Sequence, residues 1–264
     1  MTQRPQYIIE HMEDLDADPD SPATFPKWAL LEYRHMLTLV GPGSIVHFTG
    51  LVSNASRDAL HKALSASSSS SPSAEFEVHI EGILDMAKKR KVEINQICLL
   101  DPKSPIAVSV HDAGLHQGNT TTTSKPSDGP FTYFLFGGIL GDDPPRDRTG
   151  ALRSLGFPTR HLGPVQMTTD TALGVTKRVV EDGIAINLPD GDAGAENTEK
   201  QGPGGSMAWI THPELKFGAG ESVTMPFRYM VADNNAPITP QTRPLMPPGM
   251  RDHIREDLDR AFEF

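Results

Sequence analysis

The sequence feature that most constrains the fold is an apolar run at 131–136 that stops abruptly at Gly137 and Gly138. Aromatic and aliphatic residues at this density are typical of a strand that is buried on both faces of a parallel sheet. The loop that follows carries carboxylates, prolines and arginines between 142 and 148. Because ligands of open α/β sheets bind beyond the carboxyl ends of the strands, this loop is the first candidate for a binding site.

Two further strand ends have the same character. The segment 160–163 ends in a Gly-Pro loop, which leads through 166–170 into a helix predicted at about 171–181. The run 92–100, predicted as a strand, ends in Asp101 and Pro102. Loops that leave parallel strands at one edge of a sheet lie close together, so the sequence predicts a single site at that edge.

The order of the remaining elements predicts the fold class. A strand at 7–9, a helix at 26–40, a strand at 44–49 and a helix at 57–64 alternate along the first part of the chain. This alternation implies parallel pairing with right-handed crossovers. We therefore expect an α/β fold, a mostly parallel sheet with helices on both faces. Strands at 207–210 and 223–225 and an amphipathic segment at 250–264 are expected to form a C-terminal extension.

Composition divides the chain into a core and loose segments. Of the 264 residues, 37% are hydrophobic, and 23 are glycine and 23 proline, which suits a folded core that carries polar insertions. We predict a core domain at 1–185 with flexible insertions at 65–73 and 111–129. A flexible Gly/Asp-rich insertion at 186–206 follows, and 207–264 is predicted to complete the domain and its substrate side.

Charge and residue usage exclude several function classes. A net charge of −10 makes the chain a poor general nucleic-acid binder and favours a basic partner. Cys98 is the only cysteine, so disulfides within the chain are excluded. The longest apolar runs, about ten residues, fall short of the roughly 20 that span a membrane. With no signal-peptide pattern, a cytoplasmic protein is expected. The histidines show no metal-ligand spacing, so no metal is expected.

The segment after the first strand is strongly acidic. Residues 10–20 hold six carboxylates and no lysine or arginine. One interpretation is a solvated acidic loop. The other is that Glu10, His11 and Glu13 face the site, because they follow the carboxyl end of a strand.

Several motifs together resemble one family. The segments 7–13, 98–102, 136–149, 166–172 and 225–229 are similar to those of the SPOUT-type protein arginine methyltransferases of fungi. The resemblance covers most of the chain outside the polar insertions. It implies a deep trefoil knot, the cofactor S-adenosyl-L-methionine and a monomer. It also implies a substrate, an arginine of the small-subunit ribosomal protein whose KH domain lies near the mRNA entry.

The resemblance assigns the strand-end loops to the cofactor. Backbone groups would bind a bent ligand, glycines would permit close approach, and apolar side chains would enclose the adenine. Taken alone, each glycine is as well explained by a turn. The expected cofactor-binding residues are Asp101, Pro102, Phe136, Gly137, Gly138, Leu140, Gly141, Leu162, Gly163, Gln166, Met167, Thr168 and Thr169.

Methylation of arginine requires carboxylates, because a guanidinium stays protonated and must be held and relieved of a proton. Candidate catalytic residues are Asp142, Asp143 and Glu10, and candidate substrate-binding residues are Glu13, Asp147 and Asp170. Structural alternatives remain open. Asp142 or Asp143 would cap the turn before two prolines, and Asp170 would serve as an N-cap or first-turn residue. Arg146 and Arg148 would either pair with Asp143 and Asp147 or contact the cofactor's carboxylate.

Three function classes follow from the sequence. Protein arginine methylation is favoured. RNA methylation, common among knotted methyltransferases, is opposed by the acidic charge and the lack of a basic stripe. A non-catalytic module that binds the cofactor or a ribosomal partner is the third.

Overall fold

The structure is a computed structural model that describes residues 4–12, 25–51, 53–66, 72–116, 129–137, 147, 149–218, 220–234, 236–239 and 241–261. Parts of the predicted insertions, 67–71 and 117–128, lie outside the described residues. So do six candidate site residues, namely Glu13, Gly138, Leu140, Gly141, Asp142 and Asp143.

The core of the fold is a six-stranded sheet in the order β3-β2-β1-β5-β4-β6, and every neighbouring pair is parallel. This confirms the predicted fold class. The strands are β1 (Gln6–Glu10), β2 (Ile45–Thr49), β3 (Glu75–Val78), β4 (Ile97–Leu100), β5 (Tyr133–Gly137) and β6 (Thr159–Arg160).

Helices cover both faces of this sheet. The alternation along β5 shows it directly: Phe134 and Phe136 pack in one hydrophobic cluster, and Tyr133 and Leu135 in the other. The first cluster includes α1, α2 and α5, and the second includes α3 and α4. The helices are α1 (Lys27–Val40), α2 (Asn54–Ser65), α3 (Ile83–Arg90), α4 (Thr149–Arg153), α5 (Thr169–Val180) and α6 (Met250–Ala261).

The central strand is the apolar run singled out in the sequence. Strand β5 pairs with β1 on one side and β4 on the other, and Phe134 and Leu135 are fully buried. Its last residue, Gly137, lies beside Glu10, the last residue of β1. The loops after β4, β5 and β6 therefore leave the sheet at one edge, as the sequence analysis predicted.

Part of the predicted strand at 92–100 is not a strand. Residues Ile94–Gln96 form a 3₁₀ turn, and strand structure begins only at Ile97. The Glu93 side chain accepts a hydrogen bond from the backbone N–H of the third residue of the turn, Gln96, and the Gln96 side-chain oxygen accepts one from the Glu93 N–H at 2.9 Å. These reciprocal caps stabilise the turn over a strand. The sequence analysis also missed β3 and α3.

Two segments predicted to be flexible insertions make buried contacts with the domain in their described parts, which are 111–116 and 129 in the first and 186–206 in the second. Asp112 in the segment 111–129 is 3% exposed and accepts hydrogen bonds from Arg160 Nε at 3.0 and 3.1 Å. In the segment 186–206, Ala195 is buried and Asp192 pairs with Arg228 at 2.6 Å. Composition alone did not indicate these contacts, because the ion pairs join residues far apart in sequence and the segment 186–206 also buries the apolar side chains of Ile186 and Leu188.

The C-terminal part adds small antiparallel pairs and the last helix. Strands β7 (Trp209–Thr211) and β10 (Arg228–Met230) pair with each other, as do β8 (Glu214–Gly218) and β9 (Glu221–Thr224). Helix α6 lies against α1, and Lys27 Nζ contacts Glu256 Oε2 at 2.7 Å. Among the described residues, no helix has the length and apolar character to cross a membrane. The trefoil knot stays a prediction.

A buried histidine at the end of β1 makes stability depend on pH. His11 is buried against Tyr33 and Phe48, and its Nε2 lies 2.6 Å from the Tyr33 hydroxyl. Burial lowers the pKa of His11 to about 4. The unfolded chain therefore binds a proton between about pH 6.5 and 4 that the folded protein does not, so stability falls as the pH drops through this window.

We expect the free energy of unfolding to fall by about 2 kcal/mol from this histidine between about pH 7.5 and about pH 5. Urea unfolding of the wild type and of His11→Gln at the two pH values gives the change in the free energy of unfolding for each protein. The difference between these two changes is the contribution of His11. Equal responses in the two proteins would show that His11 titrates normally in the folded state.

Candidate functional site

A cleft of about 380 Å³ lies at the carboxyl ends of β4, β5 and β6. Its walls come from the three strand-end loops and from the first turns of α4 and α5. Its lining is mostly apolar with a few charged groups at the edge, which is typical of a site for a small organic ligand. The lining residues are Leu100, Asp101, Pro102, Lys103, Phe136, Gly137, Asp147, Thr149, Arg153, Leu162, Gly163, Pro164, Val165, Gln166, Met167, Thr169 and Ala172.

The structure brings most of the described candidate residues into this one cleft. Among them are nine of the predicted cofactor-binding residues, namely Asp101, Pro102, Phe136, Gly137, Leu162, Gly163, Gln166, Met167 and Thr169. Asp147, predicted to bind the substrate, lies there as well. Thr168 lies outside the lining, where its hydroxyl donates to Thr171 Oγ1 at 2.8 Å. Its side chain therefore serves the start of α5.

Gly163 is the position where the cleft wall most clearly requires glycine. Its φ is +101°, and a Cβ built there would lie 2.8 Å from Leu188 Cδ2. The Gly163 N–H donates to Nδ1 of His161 at 3.0 Å, so the buried imidazole fixes the turn. Burial lowers the pKa of His161, which keeps that ring nitrogen free to accept. A side chain at this position would displace the wall.

Gly137 has a similar constraint at the end of β5. A Cβ there would meet Leu152 Cδ1 at 2.9 Å, although its φ is ordinary. The backbone of β5 thus ends against α4, and its last residue borders the cleft. Close packing against Leu188 and Leu152, and not only turn formation, therefore requires glycine at these two positions.

An ion-pair network that the sequence analysis missed closes one side of the cleft. The Asp101 carboxylate is 1% exposed and is bound in bidentate fashion by Arg153, whose Nη2 donates to Oδ1 at 2.7 Å. Arg153 also contacts Asp147 at 3.2 Å, and Lys103 Nζ contacts the same carboxylate at 2.6 Å. The two cations lower the pKa of Asp147 to about 2, and Asp101 and Asp147 raise that of Arg153. Lys103 could have been recognised as a site residue because it directly follows Asp101 and Pro102. No feature of the sequence indicated that Arg153 lies in the cleft.

We expect Arg153→Met to weaken cofactor binding by about tenfold, because Asp101 would remain buried without its charged partner. The double variant Asp101→Asn/Arg153→Met should recover part of the loss, since it removes the carboxylate as well. Calorimetric titration of all four combinations with S-adenosylhomocysteine gives the coupling between the two sites. Additive losses in the double variant would show that the pair does not shape the cleft.

The C-terminal strands hold the loop of 163–167 from behind. The Arg228 N–H donates to the Gln166 carbonyl at 2.8 Å, and the Arg228 guanidinium binds Asp192 and lies over the Trp209 ring. Arg228 is 2% exposed. The segment 225–229 therefore stabilises the cleft without lining it.

Glu10 has a structural role in this arrangement. Its carboxylate accepts the Ile83 N–H at 3.0 and 3.2 Å and the Thr49 hydroxyl, and it lies outside the lining of the cleft. A carboxylate at the N-terminus of α3 is favourable there. Burial raises the pKa of Glu10, and the two hydrogen bonds oppose this. We therefore replace the predicted catalytic role of Glu10 with that of anchoring α3.

Asp170 also lies away from the cleft, and its predicted contact with the substrate is corrected. It is fully buried between α1 and α5, and its Oδ2 lies 2.7 Å from Nδ1 of His35. Burial and the charge of Asp170 raise the pKa of Glu32. Burial, with these two carboxylates, also raises the pKa of Tyr229. Asp170 thus helps to join α1, α5 and β10. It lies in the first turn of α5, which agrees with the structural alternative that the sequence left open.

Comparison with known proteins identifies relatives of this chain. Residues 6–261 match the family model described as "Protein arginine N-methyltransferase SFM1-like". The curated "Protein arginine N-methyltransferase SFM1" of Saccharomyces cerevisiae is 30% identical over 263 residues, which cover 98% of each chain.

Solved structures give the same relationship. The crystal structure of the yeast arginine methyltransferase SFM1 complexed with SAM has a TM-score of 0.64 and 29% identity, and covers 96% of this chain and 91% of that chain. The structure of the yeast enzyme complexed with SAH has a TM-score of 0.62 and 28% identity, with 94% of both chains covered.

Proposed function

This chain belongs to the SFM1-like family of protein arginine N-methyltransferases, and on that premise we propose that it methylates an arginine of a small-subunit ribosomal protein. It is an S-adenosylmethionine-dependent enzyme, as the family membership and the ligand complexes of the yeast relative establish. The observation that carries the proposal for the site is the glycine-walled cleft at the carboxyl ends of three parallel strands.

The cleft suits S-adenosylmethionine in shape and chemistry. Leu100, Phe136, Leu162 and Met167 provide an apolar pocket for a purine ring. At Gly163 a Cβ would meet Leu188 and Arg228 behind the cleft wall, so glycine lets the loop that forms this wall pack closely against them.

The bound cofactor supplies an electrophilic methyl group, so the protein has to align and deprotonate the acceptor. A carboxylate pairs with the guanidinium, fixes one Nη nitrogen toward the methyl donor and takes the proton that this nitrogen loses. Asp147 is already held by two cations. Asp142 and Asp143 are therefore the carboxylates that we assign to the acceptor, with Glu13 as a further contact.

The position of Asp142 in the chain supports this assignment. Gly137 and Asp147 both line the cleft, and the chain between them holds Asp142 and Asp143. Asp142 lies five residues from each of these two cleft residues in the sequence, and this proximity supports its assignment to the acceptor.

A basic ribosomal protein fits the charge of the whole chain. The net charge is −10, and six carboxylates between 10 and 20 follow the strand that ends beside Gly137. A chain with this net negative charge attracts an arginine-rich surface and repels RNA. We extend the proposal to a monomer in the cytoplasm whose C-terminal part, including α6, closes the substrate side.

The test is transfer of the tritiated methyl group to separated small-subunit proteins and ribosomal RNA. We expect label on one basic protein, released as methylarginine by acid hydrolysis. Label in the RNA fraction alone would overturn the proposed acceptor in favour of RNA methylation. Absence of label in both fractions, with the cofactor still bound, would indicate a non-catalytic binding module.

A further inference from the structure

A cluster of two histidines and a glutamate lies outside the methyltransferase cleft, on strands β2 and β3. His47 and Glu77 are partners in the parallel register, and His79 follows two residues after Glu77 on the same side of the strand. The cluster could not be recognised from the sequence, because 32 residues separate the two histidines and only the pairing of the strands brings them together.

The distances within this cluster match a metal's coordination sphere. His47 Nδ1 lies 3.3 Å from His79 Nε2, and Glu77 Oε2 lies 3.6 Å from the first and 3.3 Å from the second. Ligand atoms bound to zinc at about 2.0–2.1 Å in tetrahedral geometry are about 3.3–3.4 Å apart. One ion therefore fits between the three atoms with little movement.

The surroundings of His47 prepare it as a ligand. Its Nε2 lies 2.7 Å from Oε1 of Gln6, a side chain that is itself 9% exposed. That contact assigns the proton to Nε2 and leaves the Nδ1 lone pair directed toward the cluster. The imidazole is completely buried.

We propose that His47, Glu77 and His79 bind a divalent transition metal, with zinc as the best match. Two imidazole nitrogens and one carboxylate oxygen suit zinc, whereas calcium and magnesium require oxygen ligands. Three protein ligands leave a fourth position for water. The ion would join edge strand β3 to β2, apart from the methyltransferase cleft, whose lining includes none of these residues.

Arg90 competes with a metal ion for the Glu77 carboxylate. Its Nη2 donates to Oε2 of Glu77, and its charge opposes that of an incoming cation. The side chain is 32% exposed, so it can move into solvent when the ion binds. Arg90 thus sets the affinity, and its removal should strengthen metal binding. If the two histidines only form a hydrogen bond and bind no metal, removal of Arg90 should not increase the affinity for metal.

The experiment is titration of the untagged, metal-free protein with zinc against a chromogenic chelator. We expect one ion per chain, a loss of about tenfold or more in affinity for His79→Gln and Glu77→Gln, and a gain of several-fold for Arg90→Gln. His61→Gln is the matched control, because it removes an exposed imidazole that contacts Phe76, on the opposite face of the sheet. It should bind zinc like the wild type.

Cobalt provides an independent readout. Tetrahedral Co²⁺ absorbs in the visible range, and we expect that spectrum in the wild type and its loss in His79→Gln. The melting temperature should rise with zinc in the wild type and stay constant in this variant. Absence of stoichiometric binding, or equal affinities in the wild type and His79→Gln, would show that the three side chains form only a hydrogen-bonded cluster.

Discussion

Gly163→Val is expected to reduce affinity for S-adenosylmethionine by about 100-fold. Two costs combine at this position. Valine is strained at a φ of +101°, and its Cβ would lie 2.8 Å from the fully buried Leu188. The backbone relieves both by shifting, which moves the wall formed by Leu162 and Gln166. Calorimetry with the cofactor measures the loss.

The matched control is Gly156→Val, which separates backbone strain from damage to the cleft. Gly156 has a φ of +84°, but nothing lies within 4 Å of an added Cβ, and it does not line the cleft. We expect Gly156→Val to lose stability and retain cofactor affinity. Wild-type affinity in a folded Gly163→Val protein would remove this loop from the cofactor site.

Asp142→Asn is expected to lower turnover by roughly 10²–10⁴-fold while cofactor affinity stays within about twofold of the wild type. The substitution preserves size but removes the charge that pairs with the guanidinium and accepts its proton. Single-turnover methylation measures the chemical step, and calorimetry measures cofactor binding. Together with Gly163→Val, this variant separates the acceptor side of the reaction from the cofactor side.

Asp190→Asn provides the control for net charge. Asp190 is fully exposed and lies 3.4 Å from Lys200, outside the cleft lining. It removes the same single charge and should leave turnover unchanged. If Asp142→Asn methylates at the wild-type rate, the acceptor carboxylate is another residue, and Asp143→Asn becomes the variant to compare.

The position of the site could be predicted from the sequence because the signal was local. The run that became β5 is buried on both faces. The predicted loops after β4 and β6 line the same cleft as the end of β5. Glycines at 137 and 163 were expected to admit the cofactor, and the structure shows that an added Cβ at these positions would meet the side chains of Leu152 and Leu188. These inferences needed only strand periodicity and the rule that ligands bind at strand ends.

The charged residues were harder to predict because their partners are distant in sequence. Arg153 lies 52 residues from Asp101, and Asp170 lies 135 residues from His35. A carboxylate after a strand is consistent with catalysis, with a helix cap and with a buried ion pair. From the sequence, Glu10 was therefore assigned to catalysis and Asp170 to substrate binding, whereas the structure gives both residues structural partners.

The described parts of the two predicted insertions show the same limitation. Glycine- and aspartate-rich composition predicts weak core formation, but it does not show that Asp112 meets Arg160 or that Asp192 meets Arg228. Single buried ion pairs of this kind order a loop that composition alone leaves undefined. The histidine–glutamate cluster on β2 and β3 escaped notice because it depends on strand register.

The most direct test is a crystal structure of this chain with S-adenosylhomocysteine, the product of methyl transfer. We predict that the ligand occupies the cleft between Asp101, Gly137 and Gly163, with its adenine among the apolar side chains there. Backbone groups of 162–167 should lie within hydrogen-bond distance of it, and its sulfur should face the cleft mouth. A ligand bound elsewhere on the chain, with this cleft open to solvent, would contradict the account.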